Sequence, residues 1–464
     1  MNVPRILIAG VRGGSGKTLI SLGLLAAWRV RGHQPAPFKK GPDYIDAAWL
    51  SQAAGRPCRN LDLFLMSPRA ALDSFCASAA GFDVAVIEGN RGLFDGVDAQ
   101  GSYSTAELAK LLQTPVILGV DCTKATRTIA AIVLGCQRLD PQVPLRGVIL
   151  NRVAGSRHEA VLREAVEDIS GLPVLGVIPR VQELAFPERH LGLVPPQEHS
   201  QLAEAIEHAG RIAEESLDLE AIWALARRAP ALVSEARHER VPSAGKQQEV
   251  VRIGVFRDAA FQFYYPENLE ALERHGAQLI EVSPIIANHL PKVDGLYIGG
   301  GFPETLAPAL AENRPFLDSL RRAVERGLPV YAECGGTVYL GQKLFFKGAE
   351  YSMAGALPAV FGFRNKPQGH GYTVLKTVRH NPFYAVGETL RGHEFHYTYI
   401  QSSTEDLAFA FRVERGYGCD GERDGLCHRN VLACYTHVHA LGTDCWAPAL
   451  VRAAARFSRS GDTS

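Results

Sequence analysis

Hydrophobic residues in the first half of the chain form short runs that alternate with helix-like stretches. Six runs predict β-strands, at residues 5–9, 36–39, 84–87, 116–120, 147–150 and 174–177. Several are almost continuously apolar, which is typical of parallel strands buried on both faces. The helical stretches between them indicate βαβ units, so we predict an α/β fold with a doubly wound parallel sheet.

A polar segment, RHERVPSAGKQQE at residues 237–249, separates the two halves and has little to bury, so we predict a linker there. Domains are then expected at residues 1–236 and 250–464. In the second half, the pattern predicts strands at 252–256, 278–282, 295–298 and 329–332, a helix at 266–275, and two helices before the last strand. After about residue 348 the pattern becomes irregular and richer in glycine, aromatic and β-branched residues.

Composition narrows the class of protein. A chain of 464 residues is too long for one core, which supports two domains. The 49 basic and 49 acidic residues give zero formal charge, which argues against binding to nucleic acid or an anionic membrane. No export signal or membrane-spanning apolar stretch is expected. Nine scattered cysteines without a CxxC pair favour a reduced, cytoplasmic compartment.

A glycine-rich loop, GVRGGSGKT at residues 10–18, follows the first predicted strand and precedes a helical stretch. Such a unit directs backbone N–H groups at phosphate, with Lys17 reaching the terminal phosphates and Thr18 binding Mg²⁺. Val11 stands where the strict pattern has glycine, and the loop instead resembles that of the dethiobiotin synthetase and septum-site ATPase group. The candidate nucleotide-binding residues are Gly13, Gly14, Ser15, Gly16, Lys17, Thr18 and Asn151, the last as an adenine contact or a helix cap.

Two further motifs end predicted strands, where doubly wound sheets bind ligands. They are KKGPDYID at residues 39–46 and EGNRGLFDG at residues 88–96. Asp46 and Glu88, together with Thr18, are candidates for a Mg²⁺ that also contacts ATP phosphates. The candidate substrate contacts are Asp43, Tyr44, Asn90, Arg91 and Asp95, although Asp43 and Asp95 also suit turns.

The second half carries candidates for nucleophilic chemistry. ECGGT at residues 333–337 follows a predicted strand, so Cys334 is expected on a sharp strand-to-helix turn, exposed and favoured as thiolate. The glycines of GGGFPE at residues 299–304 allow backbone N–H groups to approach an oxyanion, which makes Gly300, Gly301 and Gly335 candidates for oxyanion or glutamine binding. His437 and His439 are candidate bases that an extended strand would place on one face.

Seven motifs in this order resemble the cobyrinic acid a,c-diamide synthase family, which is related to cobyric acid synthase. They are the glycine loop, KKGPDYID, EGNRGLFDG, GGGFPE, ECGG, RGHEFHYT and ACYTHVHA, and they cover nearly the whole chain. The resemblance implies a dethiobiotin-synthetase-like ATPase domain, a class I glutaminase-like domain, and Mg²⁺, ATP and L-glutamine. It makes Cys334 the nucleophile and His437 its activating histidine. His439 stands where many class I glutaminases have Glu, which implies a dyad rather than a triad.

The implied reaction is amidation of tetrapyrrole carboxylates through an acyl phosphate, with ammonia from glutamine carried along an enclosed route between the domains. GPDYID favours formation of a diamide. EGNRGLFDG departs from the usual EGVMGL(Y/F)DG, so Arg91 could pair with a tetrapyrrole carboxylate. Sirohaem or a sirohydrochlorin is the alternative substrate. The sequence does not decide the role of RGHEFHYT. It does not decide the oligomeric state either, for which a homodimer is one alternative.

Two other classes of protein share the glycine loop. A partitioning-type regulatory ATPase is one alternative, because Arg12, Gly13 and Gly14 stand where that group has Lys-Gly-Gly. A dethiobiotin-synthetase-like carboxylating enzyme is another. The glutaminase-like half argues against both, since neither has a use for Cys334.

Overall fold

The computed structural model describes residues 2–180, 188–189, 192–193, 196, 201–233 and 250–461. The chain divides into two compact units, the first containing Met1–Leu63 and Ser67–His238 and the second containing Phe64–Met66 and Glu239–Ser464. The linker predicted at residues 237–249 lies outside the described residues.

The first unit alternates strands and helices. Its strands are β1 (Arg5–Gly10), β2 (Pro35–Lys40), β3 (Arg59–Leu61), β4 (Val84–Glu88), β5 (Val116–Asp121), β6 (Leu145–Val153), β7 (Val174–Pro179), and the short pair β8 (Glu188–Arg189) and β9 (Gly192–Leu193). Its helices are α1 (Lys17–Val30), α2 (Tyr44–Ala54), α3 (Pro68–Ala79), α4 (Thr105–Leu111), α5 (Arg127–Leu139), α6 (Ser156–Ser170), α7 (Leu202–Ser216) and α8 (Leu219–Arg227).

The sheet of the first unit has seven parallel strands in the order β3-β2-β4-β1-β5-β6-β7. The order reverses at β1, which lies between β4 and β5, and such a switch point opens a crevice at the carboxyl ends of the strands. Every residue of β1, β2 and β4 is buried, as expected for central strands covered on both faces. The glycine loop therefore begins at the switch point.

The predicted strands of this unit are confirmed, with ends that differ by a few residues. The sequence analysis did not predict β3, β8 or β9, because strands of two or three residues are too short for a periodic signal. The helix starts follow local chemistry. For example, the Asp43 side chain accepts a hydrogen bond from the Asp46 backbone N–H and caps α2, and the left-handed Gly55 (φ 69°) ends that helix.

The second unit begins with alternating strands and helices and continues mainly as strands. Its strands are β10 (Val251–Phe256), β11 (Ala277–Val282), β12 (Gly295–Ile298), β13 (Val330–Glu333), β14 (Lys343–Phe346), β15 (Ala349–Ser352), β16 (Ala359–Phe363), β17 (Gly369–Thr377), β18 (Thr389–His396), β19 (Thr398–Ser403), β20 (Ala408–Arg415), β21 (Arg423–His428), β22 (Val431–Cys434) and β23 (His437–Val438). Its helices are α9 (Pro266–Arg274), α10 (Ala307–Glu312), α11 (Arg314–Glu325), α12 (Gly335–Leu340) and α13 (Trp446–Gly461).

A ten-stranded mixed sheet forms the frame of this unit, in the order β11-β10-β12-β13-β22-β21-β20-β17-β18-β23. The strands from β11 to β22 run parallel, and the others pair antiparallel. A smaller sheet has the order β15-β14-β16-β19. The predicted α/β class of both units is therefore confirmed, and the irregular sequence after residue 348 corresponds to antiparallel strands.

Two global features accompany the fold. None of the helices in the described part of the chain has the length and apolar character needed to cross a membrane. All nine cysteines lie in described segments, and all are free thiols.

Candidate active sites on the two units

The glycine loop of the first unit is held in shape by its own side chains and by a neighbouring strand. Gly14 and Gly16 adopt positive φ angles of 74° and 93°, which glycine tolerates without strain. Ser15 Oγ donates to the Arg12 carbonyl at 3.0 Å and accepts from the Arg12 N–H at 3.2 Å. Lys17 Nζ donates to that carbonyl at 3.2 Å, so its ammonium curls over the loop at the start of α1. This arrangement places the Lys17 ammonium group beside the backbone of the loop, as a phosphate-binding loop requires.

Asn151, predicted as an adenine contact or a helix cap, lies against the loop. Its Nδ2 donates to the Ser15 carbonyl at 3.1 Å, and its Oδ1 accepts from the Arg152 N–H at 2.9 Å. The side chain is 4% exposed and lies so close to Gly16 that a Cβ there would overlap it. Asn151 therefore supports the shape of the loop, a role that the sequence analysis did not identify. Contact with adenine stays a prediction.

Behind the loop, Lys39 joins the two candidate metal-binding carboxylates. Its Nζ donates to Asp46 Oδ2 at 2.6 Å and to Glu88 Oε1 at 2.8 Å. Thr18 Oγ1 donates to the same Glu88 oxygen at 2.8 Å. The structure thus brings Thr18, Asp46 and Glu88 together, as the strand-end rule predicted. The sequence analysis missed Lys39, because nothing in the KKGPDYID pattern shows which lysine turns inward.

Burial and charge set the protonation of this cluster. Burial alone disfavours the Lys39 ammonium, but the Asp46 and Glu88 carboxylates outweigh it, and the pKa of Lys39 is raised. Burial, and then the Lys39 charge, lower the pKa of Lys17. Burial also raises the pKa of Glu88, although Lys39 opposes that shift. Glu88 Oε2 is buried without a hydrogen-bond partner in the described residues, so this carboxylate keeps an oxygen for a ligand.

The candidate substrate residues surround the same strand ends. Asp43 caps α2 and Tyr44 begins that helix. Burial, and then Asp46, raise the pKa of Asp43 to about 7. Asp95 Oδ2 accepts from the Gly92 N–H at 2.8 Å, so this carboxyl group builds the turn that the sequence offered as its alternative role.

The two residues that depart from the family pattern lie in one loop. Asn90 faces Gly41, where an added Cβ would lie 2.8 Å from its Nδ2. Arg91 adopts a left-handed conformation (φ 50°) and is exposed, so its guanidinium is accessible to a ligand from solvent. Positive φ at an arginine costs strain, which a functional position can retain.

In the second unit, Cys334 occupies the predicted sharp turn between β13 and α12, with φ 48° and ψ −103°. Its N–H donates to the Cys434 carbonyl at 2.7 Å, and its Sγ lies 3.9 Å from the Phe395 carbonyl oxygen. The predicted exposure is wrong, because the residue is only 8% exposed. The expectation that this location favours thiolate is also wrong, since burial and then Glu304 raise the pKa of the thiol. Activation therefore needs a base.

Glycines allow three segments to meet beside this cysteine. A Cβ on Gly335 would lie 3.1 Å from the Gly301 backbone nitrogen, and a Cβ on Gly300 would lie 2.6 Å from Cε1 of His437. Gly301 itself has no room for a side chain against the Ala260 carbonyl. The GGGFPE loop, the cysteine turn and His437 therefore converge, as an oxyanion site built from backbone N–H groups requires.

The two candidate bases have different surroundings. His437 Nδ1 lies 3.3 Å from Glu333 Oε2. His439 Nδ1 instead accepts from the Leu441 N–H at 3.2 Å, and its Nε2 lies 3.7 Å from Glu267 Oε2. Because its Nδ1 caps the 3-10 turn Ala440–Gly442, His439 has a structural task, whereas His437 faces the glycine loop.

The RGHEFHYT signature lies on β18 and the start of β19, and its contacts explain it structurally. The His393 ring stacks on His437 with 4.9 Å between centroids, and burial followed by His437 and His439 holds its pKa well below the usual range. Glu394 accepts hydrogen bonds from the backbone N–H groups of Tyr417 (2.6 Å) and Gly418 (2.8 Å). The Phe395 carbonyl is the group beside Cys334 Sγ. The strand therefore forms one wall of the site.

Two family models match this chain. Residues 6–194 match the CobQ/CobB/MinD/ParA nucleotide binding domain, and residues 252–445 match the CobB/CobQ-like glutamine amidotransferase domain. Their boundaries place the glycine loop in the first match and Cys334, His437 and Glu333 in the second. The chain is therefore an enzyme of the glutamine amidotransferase class that carries its own nucleotide-binding domain.

Full-length relatives define the family. A cobyrinate a,c-diamide synthase from Magnetococcus marinus is 46% identical over 459 residues, covering 97% of each chain. The cobyrinate a,c-diamide synthase from Archaeoglobus fulgidus is 42% identical and covers 95% of each chain. The one from Methanothermobacter thermautotrophicus is 40% identical and covers 98% of this chain and 100% of the relative. A solved glutamine amidotransferase structure aligns with 44% of this chain and 98% of its own at 21% identity and a TM-score of 0.33. This chain belongs to the cobyrinate a,c-diamide synthase family.

Proposed function

We propose that this chain uses ATP and glutamine to convert peripheral carboxylates of cobyrinate into amides, with the a,c-diamide as product. The observation that carries the proposal is the 46% identity to a cobyrinate a,c-diamide synthase across 97% of both chains, which spans both candidate sites. The reaction class agrees with the pairing of a nucleotide-binding domain with an amidotransferase domain. We further propose that the enzyme works in the cytoplasm, which its nine free thiols favour.

The first unit would activate the carboxylate. A carboxylate is a poor electrophile because amide formation would have to expel oxide, whereas an acyl phosphate releases phosphate. Gly13, Gly14, Ser15 and Gly16 would direct backbone N–H groups at the nucleotide phosphates. Lys17 would offset the charge that spreads over the transferred phosphoryl group, a task of positioning and electrostatics. Asp43, Tyr44, Asn90, Arg91 and Asp95 remain our candidates for substrate contacts at the same strand ends.

The donor set of the first unit fits the Mg²⁺ that the family implies. Thr18 Oγ1, Asp46 and Glu88 supply hard oxygen atoms, and Glu88 has a buried oxygen without a partner among the described residues. No group of three or more His, Cys, Asp or Glu side chains suited to a metal occurs in the described segments. Mg²⁺ keeps several waters and is held by one or two carboxylates plus phosphates, so Asp46 and Glu88 would be enough carboxylate ligands. When bound, the ion would neutralise phosphate charge.

The second unit would supply ammonia. We propose that His437 takes the proton of Cys334, whose thiol is otherwise stabilised by burial. The thiolate attacks the glutamine side-chain amide, and backbone N–H groups of Gly300, Gly301 or Gly335 stabilise the oxyanion. The protonated His437 gives its proton to the amide nitrogen, so that ammonia leaves and a thioester remains on Cys334. Water then releases glutamate. Ammonia attacks the acyl phosphate, phosphate departs, and a second round on another carboxylate completes the diamide.

Product analysis tests the substrate. Purified protein would be incubated with MgATP, glutamine and, in parallel, cobyrinate, sirohydrochlorin or sirohaem, and the products analysed by mass spectrometry. We expect cobyrinate to gain two amides and the other macrocycles to react at least tenfold more slowly. If sirohydrochlorin or sirohaem reacts faster than cobyrinate, that macrocycle, and not cobyrinate, is the substrate. Sedimentation of the same preparation would test whether the enzyme is a homodimer.

A further inference from the structure

The residue immediately before the nucleophile, Glu333, is enclosed by hydrogen-bond donors. It is 0% exposed, at the end of β13. Oε1 accepts from the Val438 N–H at 3.1 Å, and Oε2 accepts from the Tyr297 hydroxyl at 3.1 Å and lies 3.3 Å from Nδ1 of His437. The Tyr297 hydroxyl and the Val438 N–H are donors, and Nδ1 of His437 is a third donor in the tautomer that carries its proton there, so an ionised carboxylate can accept all three together.

Further hydrogen bonds connect the groups around Glu333. Buried Asn268 donates from Nδ2 to the Tyr297 hydroxyl at 3.2 Å and to the Val438 carbonyl at 2.9 Å. Its Oδ1 accepts from the Ala440 N–H at 2.7 Å. One amide therefore ties the segment after His437 to the same tyrosine that supports Glu333. This leaves the carboxylate and the imidazole few ways to change their relative positions.

Contact with a carboxylate decides which nitrogen of an imidazole carries the proton. A carboxylate at Nδ1 requires the proton there, which leaves Nε2 as an acceptor for a thiol proton. The ideal Cβ of Gly300 lies 2.6 Å from Cε1 and 3.2 Å from Nε2 of His437, so Nε2 is on the side of the glycine loop. The geometry thus matches a base whose Nδ1 is oriented by a carboxylate and whose Nε2 faces the glycine loop of the candidate site.

We infer that Glu333 is the positioning residue for His437, completing a Cys–His–Glu relay in which the Glu precedes the nucleophile in the chain. Its backbone leads directly into the cysteine turn, while its side chain turns back to the base. His439 stands where related glutaminases have Glu, but it is then not needed to orient the base and can serve the 3-10 turn. This inference rests on the proposed glutaminase activity, and it adds the residue that orients the base.

Glu333→Gln provides the main test, because it keeps size and the acceptor for Val438 but offers an N–H group to Nδ1. His437 would then have to accept at Nδ1 and carry its proton on Nε2, the wrong tautomer for taking a proton. We expect kcat for glutamate release to fall by ~100-fold or more, by analogy with the usual value of general-base help, while KM for glutamine stays within about threefold. Ammonia-dependent amidation should be unchanged.

Three further variants separate orientation from simple structural support. Glu333→Asp keeps the charge and should recover part of the lost kcat. Glu267→Gln removes another buried carboxyl group that lies beside a histidine, His439, and should change kcat by less than about fivefold. In a His437→Ala background, Glu333→Gln should cause no further loss, because a residue that acts only through His437 has nothing left to orient.

The outcomes are distinct. A Glu333→Gln enzyme with at least a third of the wild-type kcat would overturn the inference, as would an equal loss on top of His437→Ala. Wild-type protein that releases no glutamate would overturn the proposed function instead. If Glu333→Gln fails to fold, judged by lost ammonia-dependent activity, Glu333→Asp decides: unchanged kcat and KM overturn the inference, and a lower kcat at constant KM supports it.

Discussion

At the residue scale, both candidate sites depend on buried charges that are paired or enclosed by donors. A buried charge without partners is costly, often by several kcal/mol, so such groups survive only where their surroundings compensate them. Lys39 is compensated by two carboxylates, and the Glu333 carboxyl group by two donors and Nδ1 of His437. Asp43 is compensated less well, since Asp46 opposes its ionisation.

Asp43 should make stability depend on pH. Its pKa is about 7 in the folded protein, against about 4 in an unfolded chain, so the folded state holds this proton more tightly. The contribution of Asp43 to the free energy of unfolding therefore falls as pH rises from about 4 to about 7. We expect Asp43→Asn, which keeps the helix cap, to raise the urea midpoint more at pH 8 than at pH 5.

Tryptophan fluorescence can follow this transition, since three of the four tryptophans, Trp28, Trp49 and Trp223, lie in the first unit. The matched control is Asp168→Asn, which changes an exposed carboxyl group on α6 of that unit. If Asp43→Asn raises the urea midpoint equally at both pH values, or if Asp168→Asn raises it by the same amount, the raised pKa of Asp43 would be contradicted.

The two histidines of YTHVH should differ in function. We expect His437→Ala to lower kcat for glutamate release by ~100- to 10,000-fold, because the general base is lost. His439→Ala should have a smaller effect, since its Nδ1 holds a backbone N–H group of the 3-10 turn. Glutamate release is measured at saturating ATP and tetrapyrrole for folded variants. Equal losses, or a larger loss from His439→Ala, would assign the base differently.

At the scale of elements, both sites use the turn that follows a parallel strand and precedes a helix. Side chains and backbone N–H groups from such turns project at the carboxyl edge of the sheet, where the strand order leaves space. The turn after β1 uses glycines with positive φ, whereas the turn after β13 holds Cys334 itself at φ 48°. Strain at a nucleophile is consistent with a functional position.

Gly16→Ala tests the glycine turn. The added methyl group would meet the Asn151 amide, in a backbone conformation (φ 93°) that an L-residue rarely adopts. We expect ATP affinity to fall at least tenfold, because the turn must move away from its phosphate-binding shape. Isothermal titration measures the affinity. Gly135→Ala on α5, where a Cβ meets nothing within 4 Å, is the control and should bind ATP like wild type. Wild-type ATP affinity in Gly16→Ala would show that the Asn151 side chain moves away from the added methyl group at little cost.

At the scale of the whole molecule, the two candidate sites lie in separate compact units. A substitution in one site should therefore leave the chemistry of the other site intact. We expect Cys334→Ser to abolish glutamine-dependent amidation and to keep ammonia-dependent amidation near the wild-type rate. Lys17→Ala should remove amidation with either nitrogen source, because phosphoryl charge is no longer offset. Product formation with glutamine or ammonium salt measures both. Loss of both activities in folded Cys334→Ser protein, or ammonia-dependent synthesis by Lys17→Ala, would contradict this division.

The sequence by itself determined the α/β class, the glycine loop and the cysteine turn, because their signals are local. Apolar runs report burial on both faces of a parallel strand, and Gly-Lys-Thr or Glu-Cys-Gly-Gly reports backbone geometry over a few residues. The three-residue strand β3 lacked such a signal.

Only the tertiary structure decided which side chains meet. Lys39 joins Asp46 and Glu88, Asn151 reaches the loop across 136 positions, and Glu333 meets His437 across 104. It also decided that Cys334 is buried, since the walls that cover it come from distant strands. Periodicity and spacing describe neighbours along the chain. Protonation and orientation depend instead on neighbours in space, which chain folding brings together.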